Sequence, residues 1–260
     1  MEPTAQENEP PSGTSPPSPR RVLVEVLGVF ALATALCAAF WQLRGVVPLI
    51  GKNLHALIAA VFLYVPTALL LRRREDFVAY GLTMRPLGKG VAVFLGGVGV
   101  VFPLFAVGFY LYYQVVCGVA VGRVMLPRGL VAQCRSWVGS WRRVHPRLPG
   151  EFAQLALAQL LVVALPEEYF FRGYVQTRLE AVWPSSRRLL GSPVGLPLLV
   201  ASALFALGHL LVDFNGLRLA VFFPALVFGW MRGATGSIVA GVLFHAASNL
   251  ISEVLHGFFF

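Results

Sequence analysis

Apolar and polar positions alternate along this chain in long blocks, not in the short periods of a soluble fold. Apolar runs occupy about 22–43, 54–71, 91–120, 151–171, 195–212, 217–231 and 237–258, separated by short stretches that carry most of the charge. A helix needs roughly 20 apolar residues to cross a bilayer, so the pattern predicts an all-α, polytopic transmembrane bundle of about seven helices, within a range of six to eight. Residues 1–20 break the pattern. They hold six prolines and almost nothing apolar, which predicts a disordered tail ahead of a membrane domain over 21–260. They lack the charged start and small-residue cleavage site of a signal peptide. No internal repeat is visible.

Composition agrees with the pattern and narrows the class. Of 260 residues, 57% are hydrophobic and 13% charged, and the mean hydropathy is +0.72. Soluble domains carry about 25% charged residues, so this chain has too few to cover a water-facing surface. The net charge of +9 does not point to nucleic acid. The basic residues are nearly all arginine and flank the apolar runs, as they do around membrane spans. Arg72, Arg73 and Arg74, with Arg85 and Lys89, mark the segment after the second run as cytoplasmic and place Arg20 and Arg21 on the same side. The same count puts residues 121–150 outside, although they hold six arginines. An interfacial helix would reconcile the two, because Leu130, Cys134, Trp137, Val138 and Trp141 fall on one helical stripe with Arg135, Arg142 and Arg143 around it. The three cysteines, Cys37, Cys117 and Cys134, form no CxxC and indicate neither a zinc knot nor a disulfide framework.

The twelve acidic residues are few enough to weigh singly. Most lie in the tail or in loops. Glu25, Asp213 and Glu253 fall near run ends and are expected to be wet or interfacial. Glu167 and Glu168 sit inside the fourth run, in LVVALPEEYFFRGYVQTRLE, where a charge costs about 2.5 to more than 10 kcal/mol. Glu168 and Arg172 are four apart with the acid first, the favourable order for a helical ion pair. Glu167 is turned about 100° away and is free to face a cavity, and Pro166 removes a backbone donor just before the pair and predicts a kink. Downstream, His209 lies in ALFALGHLLVDFN, and His245 and Asn249 lie one helical neighbour apart in AGVLFHAASNLI.

Lipid offers these groups no partners, so they are expected to gather at one hydrated site. A carboxylate with a histidine can activate water, and a second histidine with an asparagine can hold an oxyanion. The set fits a hydrolase without a covalent nucleophile. Glu167, His209 and His245 could instead hold zinc or another divalent metal. Other readings remain at this point: a structural ion pair in a non-catalytic membrane partner, or a proton relay in a transporter. Gly229, Gly233 and Gly236 suit close helix packing.

The order EExxxR (Glu167, Glu168, Arg172), FxxxH (Phe205 to His209) and HxxxN (His245 to Asn249) resembles the CPBP family, the type II CAAX prenyl proteases and bacteriocin-processing enzymes also called Abi proteins. The resemblance covers about 150–255. It implies an intramembrane endopeptidase whose catalytic core comes from the C-terminal helices. By that resemblance Glu167 activates water with His209, His245 and Asn249 stabilise the oxyanion, and Glu168 and Arg172 support the site. It implies a lipidated or membrane-anchored protein or peptide substrate entering from the bilayer, with a metal-free, glutamic-type mechanism favoured over a metalloprotease. A bacteriocin-immunity role is the non-catalytic alternative within the family. A bacterial cell membrane, and a myxosortase- or exosortase-like processing role, fit the arginine bias and short multi-pass layout.

Overall fold

The computed structural model describes residues 18–118, 134–143, 148 and 150–260. The proline-rich tail up to residue 17 lies outside them, as does Leu130 of the proposed interfacial stripe. Seven helices are found among the described residues: α1 (Pro19–Leu43), α2 (Pro48–Arg73), α3 (Leu87–Gly118), α4 (152–180), α5 (Leu196–Asp213), α6 (Phe222–Thr235) and α7 (Val239–Phe259). They match the seven apolar runs in order, and the class is an all-α bundle. A small antiparallel hairpin of β1 (Arg187–Leu189) and β2 (Ser192–Val194) joins α4 to α5, and a 3-10 stretch, Gly216–Val221, leads into α6. Cys134 is helical, residues 135–140 are a turn and irregular backbone, and Trp141–Arg143 form a 3-10 turn. Among the described residues of the 121–150 segment there is therefore no long interfacial helix.

Helix starts follow the local chemistry. Proline stands at the first turn of α1, α2 and α5, where its missing N–H is one no helix would use. Helix α6 ends at Gly236, with φ +75, a left-handed cap that favours glycine. Gly236 is thus a helix stop, not a packing position. Gly229 and Gly233 do pack closely. A Cβ at Gly229 would come within 2.4 Å of Leu198 Cδ1, and one at Gly233 within 2.5 Å of Ser192 Oγ.

Among the described residues, five stretches are long and apolar enough to cross a membrane: α1, α2, α3, α5 and Gly216–Thr235, which includes α6. Helix α3 lies at the rim of the bundle. Only Gly90 and Cys117 of its residues are buried, and Leu95, Val100, Leu104, Val107 and Leu111 are exposed. In water such a surface would drive association; in lipid it is the outer wall. Its other face packs Val93, Phe94, Val98 and Phe102 on Phe228, Met231 and Phe244 of α6 and α7. The main core joins Val22, Val26 and Phe30 of α1, Val61 and Leu70 of α2, Phe170, Phe171 and Tyr174 of α4, and Leu204 and Phe205 of α5.

The up-and-down course gives the bundle two poles. At one pole α1 begins and α2 and α4 end, tied by Glu25. Its carboxylate accepts from Arg73 at 2.7 and 2.8 Å, from Arg178 at 3.1 Å and from the Tyr174 hydroxyl at 2.6 Å. Glu25 is therefore a half-buried latch held by two arginines and a tyrosine, and not a wet residue at a span end. Next to it, burial and then the hydrogen bond from its hydroxyl to Glu75 push the Tyr80 phenol up to about 12. Arg232 closes the pole by donating to Ala79 C=O at 3.1 Å.

At the other pole Cys117, near the end of α3, is disulfide-bonded to Cys134 with Cα atoms 5.1 Å apart. The absence of a spacing motif had pointed away from a disulfide, but a pair linked across 17 residues needs no motif. Val138 N–H donates to Phe259 C=O at 3.0 Å, and Trp137 and Trp141 stack on Phe259 and Tyr110. Tyrosine and tryptophan collect at this depth because their rings suit the boundary between headgroups and tails.

Candidate active site

Helix α4 carries the paired glutamates and is not a regular α-helix. Residues Gln159–Ala164 and Tyr169–Gln176 are π-helical, and the α-helical turn Leu165–Glu168 lies between them. In π-turns the hydrogen bonds span five residues and the helix is wider. The first stretch directly precedes Pro166, whose ring lacks a donor and crowds the carbonyl four residues back. The helix meets the proline by widening, and the chain continues as one helix through it.

Glu168 and Arg172 lie at the centre of the bundle, 0% and 1% exposed, with Glu168 Oε1 3.1 Å from Arg172 Nη1. Arg172 Nη2 donates to Ala225 C=O of α6 at 3.1 Å. Its guanidinium sits 4.5 Å from the Phe205 ring centroid and 5.1 Å from that of Phe228, within reach of the ring quadrupoles. Glu168 Oε1 also faces His245 Nδ1 at 2.9 Å. The His245 ring stacks on Phe228 with centroids 4.7 Å apart and planes 14° apart. Gly241, one turn before His245 on α7, leaves room for this contact, since a Cβ there would lie 3.1 Å from Glu168 Oε2.

Glu167 points the other way. It lines a cavity of about 180 Å³ with His209, Thr34, Cys37, His55 and Asp213 among the wall residues. Glu167 Oε2 is buried, accepts no hydrogen bond from any described residue, and lies 3.8 Å from His245 Nε2. His209 Nδ1 is 2.9 Å from Phe205 C=O. A carbonyl can only accept, so Nδ1 carries the proton and the neutral ring presents Nε2 as its lone-pair nitrogen. The structure thus brings Glu167, Glu168, Arg172 and His245 into one connected cluster and sets His209 beside Glu167 on the cavity wall.

Asn249 stands apart from these. Its Nδ2 donates to Gln159 Oε1 at 2.8 Å, it lies one turn beyond His245 on α7, and it is not among the residues around the cavity. Gln159 itself carried no signal in the sequence. The far wall was also missed, because Thr34, Cys37 and Trp41 come from α1, and Leu54, His55 and Ile58 from α2. Asp213 lies at the cavity edge in an ion pair with Arg218 at 2.9 Å. Among the described residues no three His, Cys, Asp or Glu side chains converge as a metal-ligand group.

In comparison with known families, residues 149–251 fit the model of the Rce1-like family, described as type II CAAX prenyl endopeptidase Rce1-like. Comparison with curated proteins and with solved structures gives no match. The matched stretch contains Glu167, Glu168, Arg172, His209, His245 and Asn249, and ends four residues short of the boundary at 255 expected from the motifs. It runs from just before α4 into α7, the helices that carry the cluster. With its apolar helices the chain is an integral membrane protein, and its C-terminal part is similar to the Rce1-like family, consistent with a CPBP-family protease.

Proposed function

We propose that the chain is an intramembrane endopeptidase that hydrolyses a peptide bond of a lipidated or membrane-anchored substrate, using water activated by Glu167 without a covalent nucleophile or a metal. The observation that carries this reading is the contrast between the two adjacent glutamates. Glu168 is fully buried and paired with Arg172 and His245, while Glu167 is partly exposed and lines a cavity it shares with His209. At about 180 Å³ that cavity has room for water beside the Glu167 carboxylate.

The chemistry follows from these positions. Glu167 takes a proton from water as the oxygen attacks the scissile carbonyl, and His209 Nε2 accepts a hydrogen bond from the same water. The carbonyl becomes a tetrahedral oxyanion. Asn249 has a second amide hydrogen beyond the one held by Gln159, and His245 donates from Nε2 when both ring nitrogens carry protons. These are the oxyanion donors. Breakdown returns the Glu167 proton to the leaving amine, so one water is consumed and two termini form. Glu168 and Arg172 hold His245 in place.

The test compares the termini of membrane proteins in cells carrying the wild-type chain, Glu167→Gln or His209→Ala. Both variants are expected to insert and fold, and a wild-type-dependent terminus should be absent from each. Full processing by Glu167→Gln overturns the mechanism. Loss of folding in Glu167→Gln, with no substrate accumulating, would favour the non-catalytic partner.

A further inference from the structure

The Glu167 cavity opens toward one pole, and two independent features of the chain say which compartment that pole faces. The wall residues come from the second half of α1, residues 54–62 of α2, residues 162–171 in the middle of α4, the last turns of α5 and the 3-10 stretch that follows. Apart from the middle of α4, these segments lie away from the Glu25 latch, where α1 begins and α2 ends. They share their pole with the C-terminal end of α3 and with the Cys117–Cys134 disulfide.

Charge comes first. The latch pole carries Arg20, Arg21, Arg72, Arg73, Arg74, Arg85, Lys89, Arg178, Arg187, Arg188 and Arg232 against four acids, Glu25, Glu75, Asp76 and Glu180. Arg72, Arg73 and Arg74 lie at the very end of a span, where basic residues most strongly direct orientation to the cytoplasm. Against these eleven basic residues stand nine between the other helix ends, Arg44, Lys52, Arg218 and the six arginines of 121–150, so the count alone favours the latch pole only slightly. The disulfide supplies the second, unrelated argument. Disulfides persist in oxidising compartments and are rare where thiols are kept reduced, so the pole holding Cys117 and Cys134 lies outside the cytoplasm. The disulfide decides the side, and the end-of-span arginines of α2 are in keeping with it.

We infer that the Glu167 site is entered from the extracytoplasmic side. Its substrate is then a protein held in the outer leaflet by a lipid or by a single span, and cleaved in the segment next to that anchor. A prenylated protein of the cytoplasmic leaflet would meet the wrong end of the bundle. The sidedness stands on the disulfide and the charges, while the substrate class also rests on the peptidase reading above.

Two measurements on the full-length chain in native membranes test the sidedness without any activity. Denatured without reductant, the wild-type protein should take one maleimide–polyethylene glycol adduct, at the free Cys37, and three after reduction. Three adducts before reduction overturn the inference. In a background with the native cysteines replaced, Lys52→Cys should react with an impermeant maleimide in intact cells, and Lys89→Cys only after permeabilisation. The reverse pattern overturns it. If the cysteine-free background fails to insert, the adduct count on the wild-type chain decides. For the substrate class, termini that depend on Glu167 should map to extracytoplasmic segments beside a lipid anchor or span, and cytoplasmic termini would refute it. Outward labelling with no Glu167-dependent termini would leave the sidedness intact and remove the peptidase reading.

Discussion

Arg172→Met tests how far the buried ion pair holds the site together. Methionine keeps much of the side-chain volume and a flexible, polarisable contact with the flanking Phe205 and Phe228 rings, so the main loss is charge. In the wild type, Glu168 is fully buried with one ion-pair partner at 3.1 Å and one histidine at 2.9 Å. Removing the arginine leaves a carboxylate at 0% exposure with His245 alone. Taking away one member of a buried pair costs roughly 3–5 kcal/mol, because the remaining charge is uncompensated. The lost donation to Ala225 C=O acts in the same direction. Reversible unfolding in mixed detergent micelles should therefore show Arg172→Met less stable by about 3–5 kcal/mol. Glu168→Gln combined with Arg172→Met removes both charges and should be milder than the two single changes added together, with a coupling of about 0.5–3 kcal/mol. If Arg172→Met unfolds within about 1 kcal/mol of wild type, a typical surface-like effect, the pair does not carry the structure and the argument for its role in placing His245 fails.

Three further outcomes follow from other contacts. Asn249→Ala should lower kcat by about 10²–10³, the usual cost of one oxyanion donor; Gln159→Ala, which only frees the Asn249 amide, should cost up to about 10²-fold and leave thermal unfolding unchanged. Gly173→Ala places a Cβ 3.0 Å from Tyr80 C=O and 3.0 Å from Tyr169 Cδ2, and should destabilise by about 1–3 kcal/mol, read as an earlier unfolding midpoint. Chelation by EDTA or 1,10-phenanthroline should leave processing by the purified protein unchanged, and restoration of lost activity by added zinc would reassign Glu167 and His209 as ligands.

The seven helices and the polar cluster were legible because each left a mark in local sequence. A run of apolar residues is itself the signal for a span, and a glutamate pair inside one is conspicuous because it is costly. The features that were not legible depend on partners distant along the chain. Glu25 looked like a wet residue at a helix start, yet its partners are 48, 149 and 153 positions away, and only the packing of α1 against α2 and α4 brings them near. Cys37, Thr34 and His55 line the cavity, but an apolar helix reads the same whether a given face meets lipid or an internal space. The π-turns of α4 shift the hydrogen-bond register, and no residue type announces that shift. Gln159 is an ordinary polar residue until α7 is set beside it.

The two widened stretches of α4 bear on how this helix can change length. A π-turn is an α-turn with one residue inserted and absorbed, so losing one residue between Tyr169 and Gln176 would leave a continuous helix. Because the extra residue is taken up inside the widened turn, the parts before and after such a deletion would keep nearly the same phase, and Arg178 would still reach Glu25 and Glu75. The same loss from the α-helical turn Leu165–Glu168 would rotate everything after it by about 100° and carry Arg172 and Arg178 off their carboxylates. The widened stretches are therefore where α4 can shorten without parting the glutamates from the arginine latch.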